Sequence, residues 1–142
     1  KSSGSATQPL PLIDKYGISG IRYWSFCNSL GTDTKIDESK MKMGWRIINK
    51  FENAEKFINI QISNGWIGEK EEYYNEWIKI KCDIFNYLNS YEIDKANDLL
   101  YKFFWDIFCS RWIEESKKES ISITLRRIIK DMSDIICFFY GK

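Results

Sequence analysis

Histidine is absent from this 142-residue chain, and the absence removes a large share of the usual chemistry. Without an imidazole, neither a Ser-His-Asp triad nor a His-assisted cysteine nucleophile can be built from its own side chains. Its four cysteines, Cys27, Cys82, Cys109 and Cys137, lie far apart and form no CxxC pair, so no metal-ligand spacing exists either. They read as reduced structural thiols of the cytosolic kind. The carboxylates form no isolated pair in an apolar frame, and neither GxxxxGK[ST] nor a strand-borne GxGxxG occurs, so catalysis or nucleotide binding by a complete local motif is unsupported. The only prolines are Pro9 and Pro11, so nothing downstream of them breaks a helix by that route. The longest apolar run, Ile135 to Tyr140, is far short of the roughly 20 residues a membrane span needs. The first residues, KSSGSATQ, hold no apolar signal-peptide core. Net charge is only +1, which excludes the global basic excess of many nucleic-acid binders.

What remains is rich in rings. Aromatic residues make up 16% of the chain, beside 44% apolar and 29% charged residues, the balance of a single soluble globular domain with a ring-filled core or a ring-bearing surface. The small net charge hides an uneven distribution: residues 1–68 carry nine Lys/Arg against six Asp/Glu, residues 69–98 four against eight, and residues 99–142 eight against six. Two mildly basic flanks thus enclose an acidic middle.

Periodicity makes the chain all-α, a helical bundle with short connections, since no segment alternates with period two. After a polar loop, a proline-led turn runs to Tyr16 and ends at Gly17, and a second helix covers residues 18–29. GTDTKID is a connector in which Asp37 can cap the next helix. Residues 38–63 keep a 3.6 period through Met43, Ile47, Phe51, Ala54, Ile58 and Ile62, a spine of roughly 39 Å with Gly44 as its weak point. SNGWIGE is turn material. Further helices are expected over about 70–89, over 92–118 with Ser90 as cap, and from Ser120 or Ser122 onward. The chain begins in mid-loop without Met and ends with apolar residues still arriving, so both ends read as cut.

Two constellations invite a functional reading. On the spine, Arg46, Asn49, Lys50 and Asn53 fall at i, i+3, i+4 and i+7 on one edge of the apolar stripe, with Phe57 completing the line. Cations hold phosphates, amides pair with base edges and a ring stacks on an exposed base, so the spacing suits single-stranded RNA. The plainer alternative is that the amides bridge helices and the cations are solvated. In FFWDIFCSRWIEESK, residues 103–117, the rings of Phe104, Trp105, Phe108 and Trp112 sweep about half a helical cylinder at 100° per residue. Arg111 and Glu115 stand at its border, where Arg111 either stacks on a ring and pairs with Glu115 or faces a base or phosphate. Arg126, Arg127 and Lys130 read as a wet face able to add a phosphate contact. A rival reading is a protein-interaction module docking through Trp45, Trp66 or Tyr140.

In order, KSSGSATQPLPLIDKYGISGIRYW, GTDTKIDESKMKMGWRIINKFENAEKFI, NEWI and FFWDIFCSRWIEESK resemble landmarks of class I aminoacyl-tRNA synthetases, most closely the valyl-tRNA synthetase family. The family pattern runs from the KMSKS loop through "KYG-D-RYW", "G-DT-FDE", "NK-NA-KF" and "WI" to "FFW-FC-YIE-K". The series covers nearly the whole chain. Ser5, Glu52 and Trp112 depart from it, at a usual Asn, a Leu-rich filler and a usual Tyr. Isoleucyl- and leucyl-tRNA synthetases share the same bundle.

The resemblance implies that Lys1 and Ser2 close the KMSKS loop, which steadies ATP during adenylate formation. It makes residues 1–37 the end of that loop plus a stem-contact segment, and residues 38–142 a helical anticodon-binding domain. The catalytic and editing domains would lie outside this C-terminal piece, so the full enzyme would ligate valine to tRNA(Val) with ATP and Mg2+ while the piece itself needs no cofactor. It further implies Arg46, Asn49, Lys50, Asn53 and Arg111 as tRNA contacts, in a cytoplasmic, monomeric protein with no DNA or membrane partner.

Overall fold

The computed structural model describes residues 9–29, 31 and 35–141, and among these it contains helices and no strand. Helix α1 spans Pro9–Ser25, α2 Glu38–Ser63, α3 Glu71–Asn89 and α4 Ile93–Lys102. A π-helical segment, Phe103–Ile113, continues α4, and α5 covers Ser122–Tyr140.

The expected break at Gly17 is present as a kink inside α1, where φ of 72° and ψ of 174° leave helical space and suit a residue without Cβ. The helical stretch beyond the kink stops at Ser25, four residues before the expected end. Helix α2 forms as its period demands, 26 residues long, with the Asp37 carboxylate accepting the Ser39 N–H at 3.0 Å. Of the connector before Asp37, residues 32–34 lie outside the described residues.

Gly44 is where α1 and α2 cross rather than a weak point. A Cβ there would collide with the Tyr23 Cβ and stand 2.7 Å from the Ser19 carbonyl oxygen, and one on Gly20 would stand 2.7 Å from the Met41 carbonyl. Small residues let the two backbones touch. Arg22, from the same crossing, donates to the carbonyls of Phe139 at 2.8 Å and Phe138 at 2.5 Å, tying α1 to the otherwise unsatisfied end of α5.

The core lies between α2, α3, α5 and the π-helical segment. Phe103, Phe104, Phe108 and Trp112 are all buried in it, each worth roughly 1.5–3 kcal/mol of apolar burial. A 100° wheel leaves Phe103 outside the apolar half. The wider π turn, bonded i to i+5, brings its ring to 6.4 Å from Phe108 and 5.4 Å from Trp112. Trp112, in the place of the family's Tyr, stacks on Tyr73 with centroids 4.2 Å apart.

The serines expected to cap helices do other work. Ser90 closes the C-terminal end of α3 rather than opening α4, whose N-cap is Glu92. Ser120 accepts the Gly68 N–H at 2.8 Å, and the Gly68 carbonyl takes the Ile123 N–H at 3.1 Å, so a loop from across the bundle satisfies the start of α5. Ser122 is buried and donates to Gln61 Oε1, while Gln61 Nε2 donates to the Ser116 carbonyl at 3.0 Å. Tertiary partners displace local capping at Ser120 and Ser122.

Candidate nucleic-acid interface

Helix α2 and the π-helical segment leave a groove of about 460 Å³ between them. From α2 it takes Trp45, Arg46, Asn49, Lys50, Asn53 and Phe57, and from the facing segment Trp105, Cys109 and Glu114. The spacing read from the sequence is therefore one physical wall: 100° per residue puts positions 46, 49, 50, 53 and 57 on a single edge. Arg46 and Asn53 are exposed and Asn49 and Lys50 half-buried, so none is sealed inside.

The groove combines cations with rings. Lys50 Nζ lies 4.7 Å from the centroid of Trp105, whose other neighbour, Tyr101, is stacked at 5.6 Å. Lys117 stands 5.7 Å from the Phe57 centroid and holds the Glu114 carboxylate at 2.8 Å, which offsets the groove's one acidic wall residue. Among the described residues Arg46 and Lys50 form no ion pair, whereas Lys70, Lys81, Lys95, Lys102 and Arg127 each do. Their charge is left for an outside anion. Beneath Lys50, burial pushes the Cys109 thiol up to about 12, with the lysine's charge working the other way. Cys109 is thus a packed wall atom rather than a nucleophile. The arrangement can hold phosphate oxygens, offer amides to base edges and stack a base on an indole.

Arg111 does not join this wall. It is not among the residues that line the groove, and it is exposed with no ion pair among the described residues. Its expected partner Glu115 turns instead to Lys70, 3.8 Å away. The 100° wheel missed both because the local turn is wider. Lys1 and Ser2 fall outside the described residues.

Other expectations also change. Tyr140 is fully buried and donates to Asn97 Oδ1 at 2.5 Å, so it cannot dock a partner. Trp45 is exposed but belongs to the groove, and Trp66 is half-buried. Arg127 is engaged by Glu71 at 3.3 Å and by the Tyr74 ring at 3.9 Å. All four cysteines are free, and Cys82 and Cys137 are exposed rather than structural. Trp105, half-buried, is a groove residue that the sequence pattern does not single out from the neighbouring core rings.

No protein-family model matches the chain. No solved structure matches it either. Among curated proteins it is similar to the valine–tRNA ligase of Rickettsia typhi, 38% identical over 84% of this chain and 17% of that protein. The Rickettsia prowazekii enzyme gives the same identity and coverage. That of Rickettsia canadensis is 30% identical over 99% of this chain and 19% of its own length. The chain spans about a sixth of the length of these relatives. By sequence it therefore belongs with the valine–tRNA ligases, as a stretch matched across 84–99% of its own residues.

Proposed function

We propose that this chain is the anticodon-binding part of a valine–tRNA ligase and that the groove between α2 and the π-helical segment receives the anticodon arm of tRNA(Val). The supporting observation is that Arg46, Asn49, Lys50 and Asn53 line one groove with Trp45 and, from the opposite wall, Trp105, and that Arg46 and Lys50 have no carboxylate partner among the described residues. A volume of about 460 Å³ accommodates unstacked bases, within the usual range of ligand sites. The α1–α2 crossing and the Arg22 bonds to α5 tie the stem-contact segment to this scaffold, which suits a piece that must hold the arm at a fixed distance from the acceptor end.

On this reading the whole enzyme joins valine to tRNA(Val) with ATP and Mg2+, Lys1 and Ser2 belong to its ATP loop, and the protein works as a cytoplasmic monomer on RNA rather than DNA. Among the described residues no helix is long and apolar enough to cross a membrane. The test is filter binding of the 142-residue chain to tRNA(Val) and to several unrelated tRNAs. Preference for tRNA(Val) that disappears on exchanging the anticodon arm supports the proposal, and equal retention of all tRNAs contradicts it.

A further inference from the structure

Helix α2 has a second polar flank, about 120–160° round from the groove at 100° per residue. There Glu55 and Asn59 of α2 face Arg126 and Lys130 of α5 across a narrow cleft floored by Ile58 and Ile129. Arg127, between the two α5 cations in sequence, is occupied by Glu71 and Tyr74. Arg126 and Lys130 form no ion pair among the described residues, even though Glu55 lines the same cleft. The exposed ridge between groove and cleft carries Lys56, also without an ion pair among the described residues. Cations available to an outside anion thus run in a band from Arg46 and Lys50, over Lys56, to Arg126 and Lys130.

Size separates the two flanks. The cleft measures about 30 Å³, the room of a single water, against about 460 Å³ for the groove. No base enters so small a space; only a phosphate oxygen or a hydroxyl does. Two cations select the phosphate, and the adjacent carboxylate disfavours a dianion while accepting a hydroxyl hydrogen bond. We propose that one ribose-phosphate unit of the RNA strand bound in the groove lies across the mouth of this cleft, a phosphate oxygen on Arg126 and Lys130 and its 2′-hydroxyl on Glu55. The strand then crosses α2 over Lys56, an arc on the order of 15 Å that a few nucleotides span. This rests on the RNA reading of the groove and adds a device that distinguishes RNA from DNA.

The experiment titrates the 142-residue chain with the anticodon arm of tRNA(Val) as an RNA hairpin and as a DNA hairpin of the same sequence, over a range of salt. Arg126→Gln with Lys130→Gln is expected to lower the slope of log affinity against log salt by about 1, leaving helicity and base preference unchanged. Glu55→Ala is expected to narrow the RNA-over-DNA preference by about tenfold, chiefly by raising DNA binding as the carboxylate is removed. Hairpin binding by the parent chain with slope and preference unaltered in these variants overturns the cleft and leaves the groove standing. Absence of hairpin binding by the parent chain overturns both.

Discussion

The Lys50 ammonium stands 4.7 Å from the centre of the Trp105 ring, so a cation from α2 closes over an aromatic plate from the π-helical segment. In the proposed RNA reading the pair supplies a charge for a phosphate and a ring for a base. A double-mutant cycle on Lys50→Met and Trp105→Leu, read by urea unfolding without RNA, is expected to give a coupling of about 0.5–1 kcal/mol. Trp105→Ala is expected to weaken RNA binding by about 1–3 kcal/mol, the contribution of one stacked base. Additive unfolding effects together with unchanged RNA affinity would remove this pair from the account.

Gly44→Ala sets helix propensity against packing. Alanine favours the helix by about 1 kcal/mol over glycine. The new methyl, however, meets the Tyr23 Cβ and, at 2.7 Å, the Ser19 carbonyl, neither of which is the mobile end of a side chain. Packing wins, with a net loss of about 1–3 kcal/mol in urea unfolding. A more stable variant would mean that the α1–α2 crossing is looser than described.

Arg22→Ala removes two charged hydrogen bonds to the last carbonyls of α5, at Phe138 and Phe139, and the guanidinium lying 5.5 Å from the Phe26 ring. The expected cost is about 2–3 kcal/mol. Arg22→Lys recovers only part of it, because a single ammonium lacks the planar fork that reaches two carbonyls at once. Full recovery by lysine would show that charge alone fixes this junction.

Thiol chemistry tracks burial. In the native protein Cys82 and Cys137 are expected to react rapidly with a thiol reagent, the half-buried Cys27 more slowly, and the buried Cys109 only on unfolding. Burial raises the Cys109 thiol from 9.0 to about 12 and also drives the Tyr23 and Tyr140 hydroxyls upward. These groups favour the folded state while protonated. Their contribution is complete below pH 9.0 and lost as pH rises toward 12, because the unfolded chain ionises first. Urea midpoints that fall over this alkaline range are the expected result, and a flat profile would contradict it.

The spine was legible to the residue because every local signal agreed there: Asp37 as cap, an uninterrupted 3.6 period, and a glycine-rich stop. So was the Gly17 break. The groove's α2 wall came from the same periodicity, which is why Arg46, Asn49, Lys50 and Asn53 meet in space. The facing wall did not, since a wheel drawn at 100° assumes α geometry and misplaces Phe103, Arg111 and Glu115 on a π turn. Ser120 and Ser122 were unreadable for another reason. Their partners, including Gly68 and Gln61, come from distant sequence, and only the assembled bundle brings them near.

The most direct test of the groove is the salt dependence of tRNA(Val) binding by the 142-residue chain and by its Arg46→Gln, Lys50→Gln double variant. Two phosphate-holding cations predict a slope of log affinity against log salt shallower by about 2 in the variant, with circular dichroism unchanged. Equal slopes and equal affinities for the two proteins would place the RNA elsewhere.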